Sequence, residues 1–436
     1  MSLDDLKFTS TQQKAFDYMV EGKNIFLTGP SGTGKSMVIQ QFKKLYNREK
    51  SIAITSTTGI SALLIGGTTL HSFLGIGLGT GNVDQMTENI MKKAYLKSRW
   101  LKLDVLVIDE VSMLSPDLFD KLEQVARNVR RKHPRRLLTG PQGPEVEQVF
   151  GGIQLILSGD FLQLPVVKSD DFCFEAKTWN SCIDHVVNLT EIIRQSDIEF
   201  QEVLNDLRFG KVTKRAKQLL KSRMNVELKN DLGIKPTRIY MVNVDVNEYN
   251  EKELDKLAEG ADFYEYTSEF YFFEFVKNRE QAMERARKNC LAPEKLQLCK
   301  DAQVMLLCNL DLDCGLANGS RGIVTGFSND QPIVRFLNGE ERVIDTHSWE
   351  TEEGDKKQVR ITQIPLKLAW SSTCHKIQGA TLDYCEVDLT SVFTYGQSYV
   401  ALSRVKNKEG LSILGIDFSL IQAHPKAVKF YEDLNV

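Results

Sequence analysis

The sequence predicts an α/β protein built on a parallel sheet, and two observations carry that expectation. Residues Leu27 to Ser36 read L-T-G-P-S-G-T-G-K-S, where Gly29, four residues and then Gly34-Lys35-Ser36 fit the phosphate-binding pattern G-x-x-x-x-G-K-[ST]. Short apolar runs at 24–28, 51–55, 103–108 and 153–158 alternate with segments of helical spacing. Strands separated by helices pair parallel.

The first run, Asn24 to Thr28, reads as a short buried strand that delivers the chain to the glycine-rich loop. Glycines at 29, 32 and 34 let the backbone curl around a phosphate with its N–H groups inward, and Thr33 completes the cradle. Lys35 would reach the β and γ phosphates, and the Ser36 hydroxyl would hold Mg²⁺. Val38, Phe42 and Leu45 recur at i, i+4 and i+7, so a helix follows. The positive end of that helix adds to the anion site. ATP with Mg²⁺ is the expected ligand.

Composition sets the limits. A chain of 436 residues is expected to form two or three domains. Hydrophobic content of 42% and charged content of 26% are those of a soluble globular protein. A net charge of −3 argues against a protein basic overall, yet a basic groove can sit on a neutral surface. The eight cysteines include no C-x-x-C pair, which argues against zinc, and scattered thiols suit a reducing compartment. No apolar run reaches membrane-spanning length, and the acidic start Met1-Ser2-Leu3-Asp4-Asp5 lacks a signal or transit composition. A cytoplasmic protein with no membrane partner is expected, nucleoid-associated if bacterial.

Before the loop, Thr9-Ser10 reads as a cap for a helix over residues 9–22, with Ala15, Phe16 and Met19 at helical spacing. Gln12 lies on it, where an amide can read the adenine edge or simply face water. After the second strand come Ser56-Thr57-Thr58-Gly59, small donors at the carboxyl end of a strand, where open sheets bind ligands. Thr68-Thr69-Leu70-His71-Ser72-Phe73 adds donors and a ring. Thr57, Thr58, Gly59, His71, Ser72 and Phe73 could grip a single DNA strand by its phosphates while the ring stacks on a base, or be ordinary loop residues. The third strand ends in Asp109-Glu110. The first acid would order Mg²⁺. The second would take a proton from attacking water. Residues 127–136 are strongly basic and 140–144 (G-P-Q-G-P) read as an exposed loop, so this stretch is either a DNA contact or a solvated insertion. The fourth strand leads into Phe161-Leu162-Gln163-Leu164-Pro165, where Gln163 could sense the γ-phosphate.

Together these motifs resemble the Pif-one-like DNA helicases of superfamily 1B, across nearly the whole chain. The matching stretches are Gln12, G-P-S-G-T-G-K-S at 29–36, T-T-L-H-S-F at 68–73, D-E-V-S-M-L at 109–114, G-D-F-L-Q-L-P at 159–165 and L-T-E-I-I-R-Q at 189–195. The stretch from Asp109 to Arg130 looks like the family's own signature, distinct from RecD-like relatives. Val166 stands where the family has a second proline, and 133–148 looks like an insertion.

The resemblance implies two RecA-like motor domains. The first spans 1–195, with a small wedge-like insertion around 73–100. The second spans 196–436 and begins with the strand-like run 239–243; an SH3-like β insertion interrupts it at about 255–362. Asn318-Gly319, Asn329-Asp330 and Asn338-Gly339 read independently as hairpin turns. The aromatic run 263–275 carries interleaved glutamates, so strand packing suits it better than base stacking. His375-Lys376-x-Gln378-Gly379, with Thr373 before it, matches the family's motif coupling nucleic acid to nucleotide; Thr373, His375 and Lys376 would contact DNA, and Gly379 falls on the nucleotide side. In the family's pattern Arg194 and Arg404 are arginine fingers that meet the γ-phosphate from the second domain.

The function implied is an ATP-dependent 5′-to-3′ DNA helicase that translocates on single-stranded DNA and unwinds duplex, forked or G-quadruplex DNA. That places it in DNA repair, recombination and telomere maintenance. It would act as a monomer or as an oligomer on DNA, in a compact bacterial or phage-like form. Other readings stay open: a DNA-stimulated ATPase that translocates without separating strands, a RecD-like helicase, and a P-loop kinase indifferent to DNA.

Overall fold

The computed structural model describes residues 8–434, apart from 78, 132–136, 139–145, 167–168, 229–233, 243, 259–262, 275, 277, 291, 312–313, 317–318 and 354–355. The chain divides into two compact units, one of residues 1–219, 392–403 and 418–436, the other of 220–391 and 404–417.

The first unit holds a six-stranded sheet. Its strands are β1 (Ile25–Thr28), β2 (Ile52–Ser56), β3 (Thr68–Thr69), β4 (Val105–Asp109), β5 (Gln154–Ser158) and β6 (His185–Asn188). They lie in the order β3-β2-β4-β5-β1-β6 and every pairing is parallel. All four expected strands are present, and two more join the edges. Alternation along each strand divides the core into two layers. Ile25, Leu27, Ile52, Ile54, Val105, Val107 and Ile156 pack with α1 (Ser10–Val20) and α2 (Lys35–Tyr46). Phe26, Ala53, Leu106, Ile108, Leu155 and Leu157 pack on the opposite face.

Helices α3 (Gly59–Leu64), α4 (Leu70–Leu74), α5 (Val83–Lys92), α6 (Ala94–Lys102), α7 (Pro116–Val129), α8 (Trp179–Cys182) and α9 (Ile198–Arg208) follow in this unit. The stretch expected to form a wedge folds as α5 and α6, whose Met86, Ile90, Leu96 and Trp100 are buried in the second layer. In the expected insertion, Leu137–Leu138 pairs antiparallel with Val146–Glu147. The G-P-Q-G-P loop and the end of the basic run lie outside the described residues.

One member of that basic run is neither a DNA contact nor solvated. Arg130 is 0% exposed; its Nε donates to Gly151 O at 2.7 Å and its Nη1 to the carbonyls of Trp100, Leu101 and Leu103 at 2.6, 3.2 and 3.0 Å. A guanidinium there satisfies carbonyls that the end of α6 would leave bare. Arg130→Met should lower stability by about 3 kcal/mol, because charge-assisted bonds of ~1.5–3 kcal/mol are lost and buried acceptors are left unmet. Urea unfolding checks this; an unchanged midpoint would contradict it.

The first unit does not end at residue 195 as the motifs suggested. Helix α9 buries Phe200, Val203, Leu204 and Leu207 in it, and α10 (Lys214–Ser222) follows. The C-terminal chain then returns to it as α13 (Gln397–Leu402) and α14 (Pro425–Asp433). Phe430 of α14 stacks on Phe174 at 4.4 Å, and Ala427 and Tyr431 are fully buried. Contacts over such sequence distances have no local signature.

The second unit carries its own parallel sheet. Its strands are β7 (Thr237–Tyr240), β18 (Ser371–Thr373), β19 (Cys385–Leu389) and β20 (Leu411–Ile416), in the order β18-β7-β19-β20. Between β7 and β18 lie α11 (Val244–Ala258), α12 (Arg279–Asn289) and antiparallel strands: β8 (Tyr264–Thr267), β9 (Glu269–Phe272), β10 (Lys295–Leu298), β11 (Gln303–Leu306), β12 (Arg321–Ser328), β13 (Gln331–Phe336), β14 (Glu341–Val343), β15 (His347–Glu353), β16 (Lys356–Gln363) and β17 (Leu366–Leu368). Five of them form a sheet in the order β14-β13-β12-β11-β17, and three form β9-β16-β15. Asn329-Asp330 turns β12 into β13 with φ of 49° and 61°, the left-handed pair of a type I′ hairpin. Asn338-Gly339 turns β13 into β14; Asn318 lies outside the described residues. The aromatic run packs as strands: Phe270 and Phe272 lie under α12 with Val359 and Ile361, and Tyr264 stacks on Phe327 at 3.8 Å. Tyr271 stays 57% exposed.

Candidate nucleotide and nucleic-acid site

The phosphate loop leaves β1 through Gly29, whose φ of 136° only glycine adopts freely; a Cβ there would sit 2.4 Å from Leu189 O. Gly32 and Gly34 follow at φ 85° and 83°, and Gly34 opens α2. Lys35 folds back along the loop, donating from Nζ to Gly29 O at 2.8 Å and Pro30 O at 3.0 Å. Burial lowers its pKa, opposed by the carboxylates of Asp160, Glu110 and Asp109. Ser36 is exposed at the start of α2, as a magnesium-holding hydroxyl requires.

Asp109 ends β4, is 7% exposed and has its pKa raised by burial, with Lys35 acting against that rise. A buried carboxylate of this kind gains from a cation. Glu110 beside it adopts φ 54°, ψ 46°, a left-handed conformation costing roughly 1–2 kcal/mol in a non-glycine residue. Such strain at the carboxyl edge of a parallel sheet aims a side chain away from the strand direction. Glycine hinges, an ammonium, a hydroxyl at a helix start and paired acids fit magnesium-bound nucleotide. Among the described residues, no group of three or more His, Cys, Asp or Glu could hold a metal alone, and Mg²⁺ is ordinarily held by one or two protein ligands plus phosphates.

Gln12 lies beside the loop, and its amide is already engaged. Its Oε1 accepts from Thr9 N at 3.0 Å, completing a capping box on α1, and its Nε2 donates to Thr33 O at 2.9 Å. Reading an adenine would require exchanging one of these bonds. Two apolar side chains that sequence reasoning missed lie next to it: Ile193, 57% exposed, and Met37, 37% exposed, both come within 4 Å of where a Gly34 Cβ would be. Met37 lies outside the quoted motifs, and Ile193 sits within L-T-E-I-I-R-Q without a role of its own.

Arg194 corrects an expectation. The resemblance made it a finger acting from the second domain, although the 1–195 boundary kept it in the first; it belongs to the first unit, on the loop's own side. Its N–H and that of Ile193 donate to Gly32 O at 3.1 and 2.8 Å, and its Nη1 reaches Ser31 Oγ at 2.6 Å and Ser403 O at 3.1 Å. Tyr399 of α13, to which sequence reasoning gave no role, accepts from Ser31 N at 2.8 Å. Gln163 is 6% exposed, and the backbone of Gly396, at the start of α13, packs against its carbonyl; a Cβ on that glycine would sit 2.5 Å from Gln163 O.

The expected DNA contacts of this unit share one edge of the sheet. Thr57 donates to Glu110 O at 2.9 Å, so this loop touches the acid pair directly. Thr58 caps α3 by accepting from Ser61 N, and Gly59 is exposed with open space where a side chain would go. Ser72 is exposed and His71 half-buried, its pKa lowered by burial. Phe73 is half-buried beneath Arg99, whose guanidinium carbon lies 5.0 Å from the ring centroid. One face of that ring is therefore already covered.

In the second unit, Thr373 is 2% exposed and its hydroxyl accepts from Lys376 N at 3.2 Å. It holds the turn and does not itself reach solvent. The turn presents Lys376, exposed, and His375, half-buried with its pKa lowered by burial, and closes at Gly379 with φ 82°. Arg404 is 1% exposed in this unit, close enough to Cys374 to oppose the burial that pushes the thiol up to about 12.

A model described as PIF1-like helicase matches residues 7–218, and one described as the 2B domain of DNA helicase Pif1 matches 283–327. The ATP-dependent DNA helicase PIF1 of Xenopus laevis is 37% identical over 98% of this chain, which spans 65% of that protein; for the Homo sapiens protein the figures are 37%, 95% and 62%. The chain thus covers just under two thirds of these relatives. The crystal structure of the Pif1 helicase from Candida albicans, 34% identical, covers 98% of this chain and is itself fully covered, with a TM-score of 0.80. Pif1 from Bacteroides sp, solved in complex with ADP-AlF4, is 27% identical over 99% of this chain and 98% of its own, with a TM-score of 0.78.

Proposed function

Because the chain belongs to the PIF1-like helicase family, we propose that it is an ATP-dependent DNA helicase that moves 5′ to 3′ on single-stranded DNA and opens tailed or forked duplex. The observation that carries this reading is the shared sheet edge of the first unit. There Lys35, Asp109 and Glu110 stand beside Thr57, which bonds Glu110 directly. A strand held at 57–59 and 71–73 is thereby tied to the backbone of the residue whose carboxylate would orient water. Relatives support the ligands: Pif1 from Bacteroides has been solved with ADP-AlF3 and single-stranded DNA, and Pif1 helicases at forked duplex DNA.

In this reading the loop at 29–36 binds the phosphates, with Lys35 as point charge. Ser36 and Asp109 hold magnesium, which neutralises phosphate charge when bound. Glu110 receives the proton of the attacking water, and Gln163 reports the γ-phosphate to its neighbours. Arg194 acts from the loop's own side; Arg404 is the second finger of the family's pattern. His375 and Lys376 take DNA phosphate, on the turn that Thr373 holds. Gln12 reads the base, and Gly379 lets the turn approach the nucleotide. The antiparallel sheets are the family's SH3-like insertion. Phosphate contacts should make binding salt-dependent and nearly blind to sequence.

Single-stranded DNA should stimulate ATP hydrolysis strongly; turnover indifferent to DNA would support the kinase reading instead. Arg404→Ala should retain ATP binding and lose about 10³-fold in turnover. Normal hydrolysis in that variant would remove the finger assignment.

A further inference from the structure

The last helix of the chain reaches into the nucleotide site. Tyr431 of α14 is fully buried, and its hydroxyl has three partners in the first unit: Thr28 Oγ1 at 2.6 Å, Phe161 N at 3.2 Å and Asp160 Oδ1 at 3.1 Å. A phenol has one proton and can accept two more. Here it donates to the Asp160 carboxylate and accepts from the Phe161 N–H and the Thr28 hydroxyl, so every partner is satisfied. Asp160 is itself clamped by Arg208, with Nε to Oδ2 and Nη2 to Oδ1 both at 2.9 Å, and the guanidinium carbon lies 4.8 Å from the Tyr431 ring centroid.

Each partner sits one step from the chemistry. Thr28 is the residue before Gly29, where the phosphate loop begins. Asp160 accepts from Leu162 N at 3.1 Å and from Gln163 Nε2 at 3.5 Å, so it orients the glutamine assigned to the γ-phosphate. Its charge also acts on Lys35. We infer that Tyr431 is a positioning residue for ATP hydrolysis, its hydroxyl locking the strand end that launches the phosphate loop to the segment that carries Gln163. The C-terminal helix thereby becomes part of the catalytic frame. This inference rests on the ATPase reading above.

The test is Tyr431→Phe, which keeps the ring and its stacking and removes only the hydroxyl. Measured with saturating single-stranded DNA well below the melting temperature, kcat should fall at least fivefold while the dissociation constant of a fluorescent ADP analogue stays close to wild type; the melting temperature should drop by only a few degrees, because Phe161 N and Asp160 each lose one partner. A shared fall in nucleotide binding and melting temperature would show a merely structural tyrosine and overturn the inference, as would an unchanged kcat. Thr28→Val cuts the same lock from the other side. It should lower kcat likewise, and if Tyr431→Phe fails to fold, unaltered turnover in Thr28→Val overturns the inference. Wild-type protein runs in the same assay: its inactivity would count against the ATPase reading, whereas an active wild type with a normal Tyr431→Phe would count only against the lock.

Discussion

Lys35→Ala loses ATP turnover by about 10³-fold or more, with the fold intact. The ammonium donates to the loop's own carbonyls at Gly29 and Pro30. A preorganised charge in a half-buried site is worth far more than in water, and removing a single such donor costs ~10²–10³ in kcat elsewhere. Asp160, Glu110 and Asp109 all act on this amine; Arg208 still balances Asp160 when it is lost, but Glu110 and Asp109 are left without its charge. Steady-state hydrolysis in the presence of single-stranded DNA measures the effect, with melting temperature as control. Turnover within threefold of wild type would mean the loop does not hold nucleotide in the expected way.

Arg208→Ala should destabilise the first unit by about 3–5 kcal/mol, the range for removing one partner of a buried ion pair. Arg208 is 2% and Asp160 0% exposed, and two bonds of 2.9 Å join them. Burial alone would raise the Asp160 pKa, but the guanidinium overrides it and holds the carboxyl below its ordinary value. A depressed carboxylate contributes stability that is full at neutral pH and is lost as pH falls through the folded value. The wild type therefore keeps this contribution at pH 5–7 and loses it only on acidification below roughly 4. In the variant the carboxylate is buried without its partner, so protonation relieves it. Its stability deficit should be largest at neutral pH and shrink towards acid. Denaturant unfolding across pH 4–8 reads this; a deficit below 1 kcal/mol at pH 7 would contradict it.

The parts of the molecule legible in the sequence were those encoded locally. Strand β1, the glycine loop and α2 announce themselves within 25 residues, because period-2 and period-3.6 patterns and left-handed glycines are local constraints. The acid pair ending β4 and the type I′ turn at Asn329-Asp330 were legible for the same reason. What stayed hidden depends on distant partners. Nothing near Tyr431 indicates that its hydroxyl meets Thr28, 403 residues away in sequence. Arg130 reads as one of a charged run until four carbonyls are found around it. Arg194 was made a finger acting from the second domain by its motif, while its backbone is bonded to Gly32 in the first. Thr373 was named as a DNA contact, but its burial gives it to the turn. Gln12 shows both levels at once, its capping role written in Thr9-x-x-Gln12 and its bond to Thr33 visible only in the fold.

The central claim is a motor that opens duplex in one direction, and strand displacement with matched substrates tests it most directly. Two duplexes, identical except for a single-stranded tail at the 5′ or the 3′ end, are incubated with the protein, ATP and Mg²⁺. Opening of the 5′-tailed duplex alone, abolished in Lys35→Ala, is the predicted result. Opening only from the 3′ tail, or hydrolysis stimulated by DNA with neither duplex opened, would contradict it.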